Sequence, residues 1–591
     1  MRKVGRFLLW LFAVLGGLGT MLVLAVVAFT LSVREETPTL PQDAVLSLDL
    51  TAPPADQRGV KPLLDPDPAP TLQQMLAAIE RARTDPGIKA LSARVGAPGF
   101  GVAEAQELAE AIRAFRESGK PAIAFAEDLG GLSDATADVA VATSFSELWL
   151  QPSGGVGYSG IALETPFFAD ALAELDIEAQ VGQRHEFKGG IDPLVREGYS
   201  PAVRQSLQRV VDGWVEQLSA TVAENRGIDP QRARALVDQG PFLAREAYQA
   251  GLVDKLGYGD EAASALDSAI GGTANHVSVG QYLKVAPGDE GTAKTVALIY
   301  GVGAIGVGDE DPNPLFGERG FGPHRVADAL AAAREDDEIA AVLFRVESPG
   351  GAYGPSDMVR REVRRLVEAG KPVIVSMGDV AASGGYFVSL DASRIVASPG
   401  TLTGSIGVYS GKLATRDFWE GLGVRWGEIS AGENAGMWSF VDRFDEGERA
   451  RFEAVLDSIY DDFTGHVARA RNLDPQGVEQ AARGRIWLGT DAKDVGLVDA
   501  LGGFSTAMAE VRSVLDLPAD APLALRLLPE PRSPFDRLLE WIDGGGGFEE
   551  FVSATVRAVI GREVEAVAGD LEALRALAAG PLAMPPVRVA R

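Results

Sequence analysis

The chain has no cysteine. That excludes disulfides, thiol catalysis and cysteine-ligated metals, and leaves the redox compartment open. Histidine is scarce. His185, His276, His324 and His466 lie far apart, with no HExxH-type pair, so no metal centre is expected. Positive charge is short as well: 55 Lys and Arg face 83 Asp and Glu, a net charge of −28. Such a surface repels phosphate, and nucleic acid is excluded as a partner. Lysine is the rarer cation, most of the 55 basic residues being arginine. What remains is globular in composition, 46% hydrophobic and 23% charged. The 591 residues are enough for three or four domains, or two large ones.

Long apolar runs are absent with one exception. From Phe7 to Val33 there are 27 residues without a charge, about 40 Å as a helix against a bilayer core of about 30 Å. Arg2, Lys3 and Arg6 precede the run; Arg34, Glu35 and Glu36 follow it. The apolar region of a cleaved signal peptide is shorter, about 7–15 residues. The expectation is therefore an uncleaved anchor at 7–33, with 1–6 in the cytoplasm and the body on the far side of the membrane.

The body is duplicated. Ile88, Arg94, Val95, Pro98 and Gly99 recur as Ile339, Arg345, Val346, Pro349 and Gly350, all at an offset of 251 residues. AVLSLDL (44–50) meets TVALIYG (295–301) at the same offset, and Gly119-Lys120-Pro121 meets Gly370-Lys371-Pro372. The offset drifts to 247 at Pro152 and Pro399, then to 245 at GLVDKLG (251–257) and GLVDALG (496–502). Ordered matches with small drifts mark two copies of one domain. Each copy alternates buried strands with helical segments, the pattern of parallel α/β units. The expected organisation is a linker over 34–43, a first repeat over 44–285, a linker over 286–293, a second repeat over 294–520, and a loosely packed tail over 521–591 with one or two short helices.

The copies differ where chemistry would sit. In the second, SPGGAYGP (348–355) follows a strand, and its paired glycines let backbone N–H groups approach a substrate. Opposite Gly351 the first copy has Phe100. Ser383, in GDVAASGGYFVS, lies after a strand and before a short helix, beside free N–H groups. A gapless alignment puts Leu132 opposite it, with four extra residues nearby. Taken alone, a serine among small residues is a packing residue; a nucleophile also needs a base. Arginine does not deprotonate, whereas lysine does when burial lowers its pKa. Lys188 stands in QRHEFKGGIDPL, and its counterpart is Ala435. One copy keeps the serine and the other the lysine. By local sequence alone, Lys188 also reads as a surface lysine in a glycine loop.

The set SPGG, GDVAASGGY, TGSIGV and the remote FKGG resembles the signal peptide peptidase A family of membrane-bound serine proteases, in its long duplicated bacterial form. The similarity extends over nearly the whole chain. SPGG with a later serine is similar also to the Clp protease proteolytic subunit and, more loosely, to crotonases. The resemblance implies two tandem Clp-protease/crotonase-like α/β domains behind one transmembrane helix. It implies Ser383 as nucleophile and Lys188 as general base, paired between the copies, with N–H groups of Gly351 and Gly384 holding the oxyanion. Ser405 of TGSIGV matches a position that contacts the lysine; the first copy has Tyr158 there. The family commonly has asparagine before SPGG, where this chain has Glu347. No cofactor is implied. The implied substrates are cleaved signal peptides and other apolar peptides, the implied site is the periplasmic side of the bacterial inner membrane, and the implied assembly is a homotetramer. Two other readings stand beside this one: a crotonase-like acyl-CoA enzyme, which tight CoA binding would reveal, and a non-catalytic membrane scaffold.

Overall fold

A computed structural model of the chain describes residues 39–54, 69–285, 293–308 and 321–530, and the backbone pairs 582–583 and 588–589. The anchor expected at 7–33, nearly all of the linker at 286–293, and most of the tail lie outside these residues. Among those described, no helix is long and apolar enough to cross a membrane.

Each copy builds a parallel sheet with the same strand order. In the first, the sheet runs Asn275–Ser278, Ala44–Leu50, Ile88–Val95, Ala122–Ala126, Glu147–Leu150, Lys255–Leu256. In the second the equivalent path is Leu523–Leu528, Lys294–Val302, Ile339–Ser348, Val373–Ala382, Arg394–Ala397, Ala500–Leu501. The likeness reaches fine detail. The register slips between Ala44 and Val45 in one sheet and between Thr295 and Val296 in the other. Lys120 Nζ donates to the carbonyls of Ala82 and Asp85, and Lys371 Nζ to those of Ala333 and Asp336. Arg226 pairs with Asp254, and Arg471 with Asp499.

The tail expected from 521 needs a correction. Leu523–Leu528 pairs in parallel with Lys294–Val302, as Asn275–Ser278 pairs with Ala44–Leu50. It forms the edge of the second sheet, with Leu523 and Leu527 packed on one core and Leu528 on the other, so the domain runs past 520.

The long helices start and stop on local signals. Pro201–Arg226 opens with Ser200 as N-cap and a proline in its first turn, and closes on Gly227 at φ 60°. Glu446–Arg471 opens with an Asp445–Glu448 capping box and closes on Asn472 at φ 51°. One apolar core spans the copies. It joins Leu76, Leu108 and Leu218 of the first to Leu298, Leu343 and Ile374 of the second. A second core fills the far face of the second sheet, and a small one, around Val45, Ile123 and Leu266, covers the outer face of the first. The copies are thus layers of one packed body, with polar contacts across the seam. Asp379 accepts from the N–H of Ala103 at 2.7 Å, at the start of helix Val102–Glu117, where a carboxylate complements the helix dipole. Trp214 Nε1 donates to the Gly400 carbonyl at 2.7 Å.

Candidate active site

Lys188 reaches the second copy along a small sheet made between the copies. Glu178–Gln183 pairs antiparallel with Tyr409–Ala414, Gln183 opposite Tyr409. One residue on, Arg184 N–H donates to the Val408 carbonyl at 2.9 Å. The Arg184 side chain is held by Glu453 and Asp457 of helix Glu446–Arg471. Lys188 follows within four residues of that anchor, and Ser405 lies three residues before Val408. The glycines of FKGG have a packing reason. A Cβ on Gly189 would come within 2.3 Å of Val203, and one on Gly190 within 2.5 Å of the Tyr409 ring. On the other side Gly484, at φ 79°, leaves room for Lys188 itself; a Cβ there would lie 2.5 Å from the lysine backbone nitrogen. Phe187 is pinned by the Arg485 guanidinium, 4.0 Å above its ring.

Lys188 Nζ lies 2.7 Å from Ser383 Oγ, 2.8 Å from the Ser405 carbonyl oxygen and 2.9 Å from Ser405 Oγ. Lys188, Ser383 and Ser405 are each 0% exposed. Burial pushes the Lys188 pKa well below its ordinary 10.5, and no neighbouring carboxylate opposes the shift. The neutral amine fits these three partners. Its two N–H bonds meet the two oxygens of Ser405, and its lone pair meets the hydroxyl of Ser383.

Ser383 stands at the junction of strand Val373–Ala382 and the short helix Gly384–Phe387. Its backbone has φ 56° and ψ −114°, a conformation costing a non-glycine residue about 1–3 kcal/mol. The turn is held by Ser383 N–H to the Gly404 carbonyl, and by Phe387 N–H to the Ser383 carbonyl, both at 2.8 Å. Gly384 packs directly on the SPGG loop: a Cβ on it would lie 2.9 Å from Gly351 N, and one on Gly385 2.4 Å from the Ser348 carbonyl. The SPGG loop at Gly350–Gly351 therefore lies directly against the turn that carries the serine. Gly351 has φ 154°, and a Cβ there would strike the Ile305 carbonyl at 2.1 Å. Glu347 accepts through its carboxylate from Val380 N–H at 3.2 Å, bracing the serine's strand against the loop.

In the first copy the same turn exists without the hydroxyl. Ala135 N–H donates to the Gly157 carbonyl, and Val139 N–H to the Ala135 carbonyl, both at 2.8 Å. These are the bonds that hold Ser383, so Ala135 is its structural equivalent. Leu132, opposite Ser383 in the gapless alignment, is fully exposed at a loop tip, because the four extra residues form a turn around Asp128. Sequence reasoning also missed Asp138. Its Oδ1 accepts from the N–H groups of Gly99 and Phe100 at 3.1 and 3.3 Å, the counterparts of Gly350 and Gly351. Burial raises the Asp138 carboxyl to about 6, the two N–H groups pulling against it. The first copy's loop is closed by an internal carboxylate and by buried Phe100. The one signal for it was an aspartate on an otherwise apolar helix, TADVAVA.

The profile of peptidase family S49 matches the chain twice, over residues 114–271 and 365–517. Protease 4 of Salmonella typhi is 33% identical over 423 residues, 69% of this chain and 66% of that one. Protease 4 of Haemophilus influenzae is 28% identical, covering 74% and 72%. The chloroplastic serine protease SPPA of Arabidopsis thaliana is 27% identical, covering 80% and 70%.

Proposed function

The chain belongs to peptidase family S49, and we propose that within it the protein is a membrane-anchored serine endopeptidase with a Ser383/Lys188 dyad, degrading cleaved signal peptides and other apolar peptides. The observation that carries this reading is the 2.7 Å approach of Lys188 Nζ to Ser383 Oγ in a site without exposed surface.

The chemistry follows from the geometry. Neutral Lys188 takes the Ser383 proton as Oγ attacks the peptide carbonyl. The carbonyl oxygen gains negative charge, and N–H groups of Gly351 and Gly384 stabilise it. The C–N bond breaks, the amine leaving with the proton held on Lys188, and an acyl-serine remains. Lys188 then takes a proton from water, hydroxide adds to the ester, and Ser383 is released with its proton returned. Ser405 orients the amine throughout. Strain stored at Ser383 and a rigid glycine loop suit a preorganised site. Tethering by residues 7–33 would hold the body on the periplasmic side of the inner membrane, where apolar remnants leave the bilayer. A homotetramer fits this reading too.

The test is hydrolysis of a fluorogenic apolar peptide by the full chain, beside Ser383→Ala and Lys188→Ala. Both variants should lose nearly all activity while keeping their circular dichroism and melting curves. An inert parent, or an active Lys188→Ala, sinks the dyad.

A further inference from the structure

Three elements must stay in register for the dyad to work: the loop of Lys188, the turn of Ser383 and the SPGG loop. Helix Glu446–Arg471 touches all three. Arg184, four residues before Lys188, donates to the Glu453 carboxylate at 2.9 Å, to the Glu453 carbonyl at 2.7 Å and to the Asp457 carboxylate. The His185 ring lies 4.7 Å from that of Tyr460. The strand leading to them rests on the same helix, since a Cβ on Gly182 would come within 2.8 Å of the Phe452 ring. The SPGG loop meets the helix through Tyr353, two residues after Gly351, whose hydroxyl donates to the Asp462 carboxylate. The serine's turn meets it through Phe387, edge-on to Phe463 at 4.9 Å. Phe387 N–H in turn donates to the Ser383 carbonyl at 2.8 Å. At about 100° per residue, Glu453, Asp457 and Tyr460 share one face of the helix, and Asp462 and Phe463 lie off it.

The duplication supplies an internal comparison. Helix Pro201–Arg226 is the first copy's counterpart, with the same length of 26 residues. It has Gln208 opposite Glu453 and Gln217 opposite Asp462, at the offset of 245. Gln217 is taken up at the seam, donating to the Pro399 carbonyl at 3.1 Å and accepting from Gln106 at 2.9 Å. Val102 stands opposite Tyr353, and Ala431 opposite Arg184, at offsets of 251 and 247. The gripping side chains are thus confined to the copy whose chemistry they serve. Arg184 belongs to the copy with the lysine; Tyr353, Glu453 and Asp462 belong to the copy with the serine. Shared ancestry accounts for the helix and its length, and leaves this distribution unexplained.

We propose that helix Glu446–Arg471 sets the spacing of base, nucleophile and oxyanion loop, and that Arg184, Tyr353 and Asp462 are positioning residues for hydrolysis. The inference rests on the peptidase reading and names what keeps that site in register. None of the three acts on the reacting atoms directly. Arg184 acts through the loop it fixes, which holds the Lys188 amine out of water. Tyr353 and Asp462 act through Gly351, by fixing the SPGG loop against the turn of Ser383. A misplacement of about 1 Å in a reacting group costs on the order of 100-fold in rate, so grips of this kind bear directly on turnover.

The test compares the full chain with Arg184→Ala, Tyr353→Phe and Asp462→Ala in hydrolysis of a fluorogenic apolar peptide. Each variant should lower kcat about 10- to 100-fold and leave KM within about twofold. The two grips should differ in pH dependence. Burial is what lowers the Lys188 pKa, and a loosened base loop admits water. Arg184→Ala should therefore move the alkaline limb of kcat/KM up by about one pH unit. Tyr353→Phe should lower the rate and leave that limb in place. Tyr353→Phe combined with Asp462→Ala should be no slower than either alone, because both break one bond. Asp462→Asn keeps an acceptor oxygen and should recover most of the rate. Parental kcat in Arg184→Ala and Tyr353→Phe overturns the proposal while the peptidase reading stands. So does a loss of rate that follows melting temperature, with additive effects in the double variant and an unmoved limb in Arg184→Ala. An inert parent overturns the peptidase reading instead. The proposal is then decided by competitive acetylation of Lys188 across pH, read by mass spectrometry. A titration shifted upward in Arg184→Ala upholds it, and an unshifted one overturns it.

Discussion

Arg345 and Glu107 form an ion pair at 2.8 Å across the seam between the copies, each side chain 1% exposed. Arg345 also donates to Ser376 Oγ and the Met377 carbonyl, and Glu107 accepts from Phe504 N–H. The counterpart of Arg345 in the first copy, Arg94, meets Glu127 at 3.5 Å with both side chains mostly exposed. The same residue at the same repeat position is a seam bolt in one copy and a solvated charge in the other. Glu107→Ala removes the carboxylate that meets a buried guanidinium across the seam and should cost about 3–5 kcal/mol. Arg94→Ala should stay within about 0.5 kcal/mol. Denaturant midpoints of the two variants check the contrast, and equal shifts would refute it.

Lys188→Met separates stability from activity. The folded-state pKa of Lys188 lies below that of the unfolded chain, so the unfolded chain binds the proton more tightly. Below the unfolded value, folding must either release that proton or, below the folded value as well, bury the charge. Stability therefore rises with pH from the folded value up to about 10.5. Methionine has no such penalty. The variant should melt higher than the parent near pH 6, with the difference shrinking toward pH 10, while peptide hydrolysis falls more than about a thousandfold. Lys188→Arg, which stays charged, should be equally inactive.

The pH dependence of hydrolysis is a separate check on the base. kcat/KM should rise toward alkaline pH along a single-proton limb as Lys188 loses its charge. A profile flat from pH 6 to 9 would count against lysine as the base. Ser405→Ala removes one of the amine's three partners and should lower kcat more than it changes KM, by less than the loss in Lys188→Met.

Asp138→Asn tests the closed loop of the first copy. The Asp138 carboxyl is raised to about 6 in the folded chain from an ordinary 3.8. Between those values the folded chain keeps a proton that the unfolded chain has lost. Its contribution to stability is full below the lower value and is lost as pH rises through the upper one, by about 3 kcal/mol at most. Asparagine keeps an acceptor oxygen for Gly99 and Phe100 and carries no charge. It should raise the melting temperature at pH 8 and make no difference near pH 4. Hydrolysis should be unchanged at both.

Gly351→Ala tests the loop of the second copy. A Cβ there meets the Ile305 carbonyl, at a φ that side chains rarely adopt. The N–H beside Ser383 must move, and loss of one oxyanion donor costs about 10²–10³ in kcat. A variant with parental kcat would remove Gly351 from the oxyanion site.

Much of this protein is written in its residue order. The offsets of 251, 247 and 245 reveal the duplication, because an internal repeat is a one-dimensional property. Phe100 opposite Gly351, and Ala435 opposite Lys188, mark a split of functions between copies. Strand and helix periods place Ser383 at a strand–helix junction, because local backbone preference acts over a few residues. Other features have no local signature. Ala135, not Leu132, is the equivalent of Ser383, since hydrogen bonds rather than residue count define the turn. Asp138 closes the first copy's loop across 38 positions, and Leu523–Leu528 joins a strand more than 200 residues earlier. Lys188 and Ser383 are 195 positions apart. Their meeting depends on the pairing of Glu178–Gln183 with Tyr409–Ala414 and on a core shared by both copies. Sequence alone determined that a serine and a lysine survive in complementary copies. Only the packing of those copies decided that the two meet at 2.7 Å, out of water, where burial lowers the pKa of the amine.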